Sequence, residues 1–213
     1  MGSMRILIVD DHPVVRQGLR RALEAADDRL VCAEAGDAEG CLERLQAEVF
    51  DVVVLDVSLP GRSGVELLKQ IHRQWPKLPV LILTMYPEEQ YAVRVLKAGA
   101  AGFLNKRSVA AELVDAVRKV AAGGRYLSPA VAESLAAAMA RPDKPAHEML
   151  SDREFQILRM IAEGSRVSDI ASKLSLSVNT VSTYRVRVLK KLDLHHNGEL
   201  MHYALQHGIT GHE

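Results

Sequence analysis

The chain has 213 residues, 48% hydrophobic and 25% charged, an ordinary balance for a folded globular protein with room for one large core or two small ones. Basic and acidic residues number 27 each, so the formal net charge is zero and any surface suited to a polyanion has to be local. Two cysteines outside any metal-ligand spacing argue against a disulfide framework and a thiolate zinc centre; they read as core thiols. No apolar run approaches the ~20 residues of a membrane span, and no charged-then-apolar leader opens the chain, so a cytoplasmic protein with no membrane partner is expected.

Met1-Gly2-Ser3 ahead of Met4 reads as a cloning scar and is set aside. From Met4 to about Leu127, short apolar runs alternate with stretches of helical period. The runs are 6–9, 30–33, 52–55, 80–83 and 102–104, and the predicted helices are 13–25, 38–47, 64–74, 88–98 and 108–122. Several runs are apolar throughout, as a parallel sheet covered on both faces requires. Five such units predict a doubly wound, five-stranded α/β domain. Asp11-His12-Pro13 places an N-cap type of residue just ahead of a proline, and Ala98-Gly99 and Ala122-Gly123-Gly124 read as helix stops.

An alanine-rich helix is predicted over 130–140, followed by Arg141-Pro142-Asp143-Lys144-Pro145, an exposed linker. The rest carries helical periodicity only. Ser151 with Glu154 three residues on is a capping box, and Gly164 closes the helix that follows. Further helices are predicted over 167–174, 178–192 and 196–207, with Ser175-Leu176-Ser177 as a tight turn between the first two. The predicted organisation is therefore an α/β domain at 4–127, a linker with one helix at 128–147, and a smaller all-α domain at 148–213.

The first domain ends its apolar runs on reactive side chains. Asp10-Asp11 follows the first, Asp56 the third, Thr84 the fourth, and Lys106 lies just past the fifth. An open parallel sheet binds ligands beyond the carboxyl ends of its strands. Three carboxylates gathered there repel one another unless a cation intervenes, and hard oxygen donors suit Mg²⁺. With Thr84 and Lys106 beside them, the set suits phosphoryl transfer to Asp56 by positioning and electrostatics.

Asp10-Asp11, the run Asp56-Val57-Ser58-Leu59-Pro60-Gly61-Arg62-Ser63-Gly64, Thr84, and Gly102-Phe103-Leu104-Asn105-Lys106 together resemble the receiver domain of bacterial two-component response regulators. The resemblance implies a flavodoxin-like fold. It further implies that Asp56 takes a phosphoryl group from a sensor histidine kinase. Asp11, Asp56 and the backbone carbonyl of Ser58 would ligate Mg²⁺, with Asp10 acting largely through water. Thr84 and Lys106 would bind the phosphoryl oxygens, and Phe103 would be the aromatic coupled to Thr84. Two positions depart from the family pattern. Asn105 stands where an apolar residue is usual, and Arg107 where many receivers carry proline, which argues against a cis peptide after Lys106.

In the all-α domain, helices 167–174 and 178–192 have helix-turn-helix spacing. Arg185, Arg187, Lys190 and Lys191 lie in a stretch with no acidic residue, a concentration of charge suited to phosphates. Val181, Val188 and Leu192 form the packed face, with Tyr184 and Leu189 beside it. The segments 150–154, 170–174, 177–181 and 191–192 resemble the LuxR-type DNA-binding domain, so the whole chain resembles a NarL/FixJ-class response regulator. The resemblance makes 178–192 a recognition helix in double-stranded promoter DNA. Ser182, Thr183 and Val186 would face base edges, and Thr180, Arg185, Arg187 and Lys190 phosphates. Many relatives carry lysine at the position of Ser182. The late histidines complete no convincing metal set.

The expected function is phosphorylation-dependent transcription control, in which phosphorylated Asp56 shifts the receiver, frees the recognition helix and favours a homodimer on two half-sites. One rival is a haloacid-dehalogenase-like phosphatase. It lacks support because Ser58 stands where that chemistry needs a second acid. The other is a phosphorylation-independent DNA-binding regulator that uses its receiver as a dimerisation module.

Overall fold

Strands form where β-branched and leucine side chains run together, and helices where apolar residues recur every three or four positions. The computed structural model describes residues 3–85, 88–106, 109–140 and 145–210. The chain divides into two compact units, Met1–Met139 and Ala140–Glu213.

The first unit alternates β1 (Met4–Val9), α1 (Pro13–Ala26), β2 (Leu30–Ala35), α2 (Ala38–Ala47), β3 (Val52–Asp56), α3 (Gly64–Gln74), β4 (Val80–Thr84), α4 (Glu88–Lys97), β5 (Gly102–Asn105), α5 (Val109–Ala121) and α6 (Pro129–Ala140). The sheet is parallel, in the order β2-β1-β3-β4-β5. The predicted fold class is the observed one. The chain steps outward from β1 to β2 and then returns to the other side of β1, so a crevice opens between the carboxyl ends of β1 and β3.

Alternation along the strands splits the core in two. Ile6, Ile8, Val52, Val54, Leu81, Leu83 and Leu104 form one cluster with residues of α1 and α5. The intervening side chains, among them Leu7, Leu55, Ile82 and Phe103, are equally buried and face the other way. Cys32 and Cys41 are free and buried, and burial pushes both thiols up to about 12, so they are inert at neutral pH.

After α5 the chain returns to the sheet. Tyr126 donates its amide to the Ala101 carbonyl (3.2 Å) and accepts from Phe103 N–H (3.0 Å), while its hydroxyl donates to Glu112 (2.6 Å). Gly102 permits this approach, because a Cβ there would lie 2.9 Å from the Tyr126 carbonyl oxygen.

The second unit opens with a short 3-10 helix, Ala146–Met149, which periodicity alone did not predict. It continues with α7 (Asp152–Ala162), α8 (Val167–Lys173), α9 (Val178–Leu192) and α10 (Asn197–Gln206). Ser175 takes a left-handed φ of 53° in the tight turn that joins α8 to α9. The linker residues 141–144 and Arg107, with its peptide bond to Lys106, lie outside the described residues. Among the described residues no helix is long and apolar enough to cross a membrane.

The predicted capping box is present. Ser151 accepts from the Glu154 amide (3.3 Å), and the Glu154 carboxylate accepts from the Ser151 amide (2.8 Å). The same carboxylate pairs with Lys191 Nζ at 2.6 Å, pinning α7 to the end of α9. Burial works to raise the Glu154 carboxyl, but the Lys191 ammonium and the Ser151 donors outweigh it and hold it below its ordinary 4.5. This stabilisation is therefore present above that value and is lost as pH falls beneath it. Glu154→Gln is expected to lower the unit's stability by about 1–2 kcal/mol at pH 7. Urea midpoints of the two proteins should converge as pH is lowered from 6 towards 3; a constant gap would contradict the ion pair.

Candidate functional site

The ends of β1 and β3 place their carboxylates together at the carboxyl edge of the sheet. Asp10 follows β1 and is 1% exposed; Asp56 is the last residue of β3 and is 3% exposed. Carboxylate oxygens of Asp10, Asp11 and Asp56 and a ring nitrogen of His12 all lie within 4.8 Å of one another. Lys106 enters from beyond β5, with its Nζ 2.8 Å from Asp56 Oδ2 and 2.5 Å from Asp10 Oδ2. Its backbone amide donates to the Thr84 carbonyl (2.8 Å), fixing where the side chain leaves the sheet.

The remaining bonds hold this set in place. Asp56 Oδ1 accepts from Ser58 N–H (3.1 Å), and Asp10 Oδ1 accepts from His12 N–H (2.8 Å). Ser63, itself buried, caps α3 by accepting from Val65 N–H (3.3 Å), which closes the loop after Asp56. Thr84 is fully buried at the end of β4, and Phe103 is 1% exposed. Strand alternation puts Thr84 and Ile82 on one face, and Ile82 pairs with Phe103, so Phe103 and Thr84 share that face.

The electrostatics follow from burial. Desolvation raises the Asp56 carboxyl above its ordinary 3.8, and the charge of Asp10 adds to it, while Lys106 and Ser58 N–H oppose the rise. Burial disfavours the Lys106 charge, yet Asp56 and Asp10 together raise it above its ordinary 10.5, so the ammonium persists at neutral pH.

The site also corrects the sequence reading. Asp11 does not cap α1: the N-cap residue is His12, which makes no side-chain cap bond, because Asp11 turns its carboxylate to the acidic group instead. Two residues had been missed. His12 Nδ1 stands 2.7 Å from Asp11 Oδ1. Arg16 donates from Nη1 to the Asp10 carbonyl (2.5 Å) and from Nε to Glu34 (3.3 Å), bracing the loop between β1 and α1. The Asp-Asp-His order flags the histidine; nothing in the sequence says that Arg16 bends back to a backbone carbonyl.

The donor set suits a divalent cation. Asp11 Oδ1 is buried 2.7 Å from His12 Nδ1 without making a hydrogen bond, and a ligand oxygen of each of the three aspartates lies within 4.8 Å of the others. Three carboxylates in that arrangement offer the hard oxygen donors that a hard divalent cation takes.

In the second unit Val181, Val188, Leu189 and Leu192 pack α9 inward. Ser177 caps it, accepting from the Thr180 amide (3.0 Å). Thr183, Val186, Arg187 and Lys190 are exposed, with Ser182, Thr180 and Arg185 half-buried beside them. Arg185 donates to Asn197 Oδ1 (2.5 Å), and the Arg187 guanidinium lies 5.7 Å from the centre of the Tyr184 ring. Lys191, counted with the basic group from sequence, is engaged with Glu154.

The family models separate along the same line. Residues 6–118 match the response regulator receiver domain, and residues 148–204 match the luxR family of bacterial regulatory proteins. The chain belongs to the two-component response regulators. It is 38% identical over 212 residues to the response regulator UvrY of Escherichia coli, covering 99% of this chain and 97% of that one. Against the response regulator GacA of Pseudomonas aeruginosa it is 39% identical over 210 residues, covering 97% and 98%. Among solved structures it is similar to RcsB from Salmonella enterica serovar Typhimurium bound to promoter rprA in the presence of phosphomimetic BeF3-. The TM-score there is 0.64 at 27% identity, with 95% of this chain and 98% of that chain covered. This response regulator is thus a DNA-binding transcription regulator rather than an enzyme.

Proposed function

We propose that Asp56 accepts a phosphoryl group from the phosphohistidine of a sensor kinase, and that the resulting charge governs dimerisation and promoter binding through α9. The observation that carries this is the Lys106 ammonium held between Asp56 and Asp10 at the carboxyl ends of β1 and β3. In that role residues 4–127 form the phosphoacceptor, 128–147 the linker and 148–213 the DNA-binding domain.

Asp10, Asp11, Asp56 and the Ser58 carbonyl would hold Mg²⁺, which would offset the charge of the incoming phosphoryl oxygens. An Asp56 carboxylate oxygen forms the new P–O bond as the donor's P–N bond breaks and the imidazole leaves. Lys106, already charged and hydrogen-bonded to Asp56, stays with the anion as it forms, and Thr84 donates to a second oxygen. A phosphoryl group here adds negative charge and acceptor oxygens at the end of β3, beside the strand that ends on Thr84. Thr84 and Phe103 respond by repacking on their shared face, a shift between pre-existing populations.

On DNA, Thr180, Arg185, Arg187 and Lys190 contact phosphates while Ser182, Thr183 and Val186 face the bases. Site selection from random duplexes with the full chain, with and without acetyl phosphate plus Mg²⁺, tests the whole proposal. Enrichment that depends on both reagents is expected. Enrichment indifferent to them, and to Asp56→Asn, would instead favour a constitutive DNA-binding regulator. Arg187→Ala should weaken binding alike on every sequence and reduce the slope of log affinity against log salt by about 0.9. A loss confined to one base position would contradict a phosphate role.

A further inference from the structure

The exposed face of α9 has an uneven chemistry. Its cations are held at the flanks: Arg185 is tied to Asn197 and Arg187 lies near the Tyr184 ring. Lys190 stands a full turn beyond Val186. At the centre, positions 182, 183 and 186 carry serine, threonine and valine, none able to form the bidentate bonds by which arginine reads guanine or asparagine and glutamine read adenine. Thr183 Oγ1 donates to the Asn179 carbonyl (2.9 Å), so its hydroxyl hydrogen is engaged inside the helix, and the exposed side chain keeps its methyl and an acceptor oxygen but no donor to offer a base. Val186 is 58% exposed, an apolar β-branched residue that favours neither the helix nor the solvent around it. The face is apolar at its middle, positive at its edges, and without a carboxylate anywhere between Val178 and Leu192.

We propose that Thr183 and Val186 form a methyl-reading patch, and that this regulator selects sites by packing it against the C5 methyl groups of thymines in the major groove. This rests on the assignment of α9 to duplex DNA made above and adds the feature of the DNA that it reads. In the major groove the thymine methyl is the one apolar projection among the four bases, and it offers no partner to a charged side chain. Burying it against a valine removes apolar surface of both from water, and the flanking cations fix the register without naming a base.

The test uses the full chain with acetyl phosphate and Mg²⁺. Sites are selected from random duplexes, and each thymine of a selected site is replaced in turn by deoxyuridine, which removes only the methyl group. At one or two positions per half-site the affinity should fall about fourfold, the worth of one methyl-sized group. Val186→Ala, a change on an exposed surface, should erase that difference at one of those positions, and Val186→Ile should retain it. Indifference to uracil at every position, or an undiminished uracil penalty in Val186→Ala, overturns the inference while leaving DNA binding in place. Failure to enrich any duplex overturns the assignment of α9 to DNA itself.

Discussion

Asp56→Ala is expected to reduce incorporation of phosphate from acetyl phosphate to background, scored as protein-bound phosphate released by hydroxylamine. Asp10 and Asp56 are bonded alike, each between a backbone amide and the Lys106 ammonium, so burial and hydrogen bonding do not separate them and the variant has to. If Asp56 is the proposed nucleophile, losing it makes the effect all or none; labelling undiminished in the variant would show that another group accepts the phosphate. Asp56→Asn separates chemistry from folding. Because the native carboxyl lies above its ordinary 3.8, folding opposes its ionisation, and this contribution to stability declines as pH rises from there. The neutral isostere escapes that decline. Without divalent ions, thermal unfolding of the asparagine variant should therefore gain on the wild type as pH goes from 4 to 7, and the reverse trend would refute the assigned burial.

The second large effect is predicted at Gly64. A Cβ there would lie 2.3 Å from the Asp56 carbonyl oxygen, 2.7 Å from Val57 Cα and 2.9 Å from the Val57 carbonyl oxygen, all of them backbone. Gly64 also donates its amide to the Val57 carbonyl (3.0 Å), so α3 begins in direct contact with the end of β3. Gly64→Ala cannot be relieved by a rotamer change; the helix start or the strand end has to move. Overpacking of this kind costs about 3 kcal/mol, lowering Tm by roughly 10 °C for a domain of this size. Calorimetry of the full chain, together with the initial rate of phosphorylation, should show both falling. A melting temperature unchanged to within about 2 °C would mean that the loop accommodates the methyl.

Much of this is legible in the sequence, and for one reason. In a parallel sheet the last residue of each strand falls at the same edge, so Asp10, Asp56, Thr84 and Lys106 could be gathered from the ends of apolar runs alone. Periodicity likewise marked α9 and its packed face. What escaped was whatever depends on side-chain reach. Arg16 returns six residues to a carbonyl, Lys191 turns from the other cations of α9 to Glu154 on another helix, and Asn197 holds Arg185 from the start of α10. None of these pairings has a spacing signature. The short helix at Ala146–Met149 has too few residues to show a period, and β2 runs on through the charged Glu34 to Ala35, where an apolar pattern had stopped.

The return of Tyr126 to the sheet bears on solubility. A bare strand margin invites a stranger's backbone to extend the sheet, the first step of aggregation. At β5 the Phe103 donor and the Ala101 acceptor are already engaged by the chain's own continuation. An intruding strand is left with the opposite margin at β2, where Glu34 sets a carboxylate beside Arg16 and Arg20 and any newcomer must first desolvate that charged group.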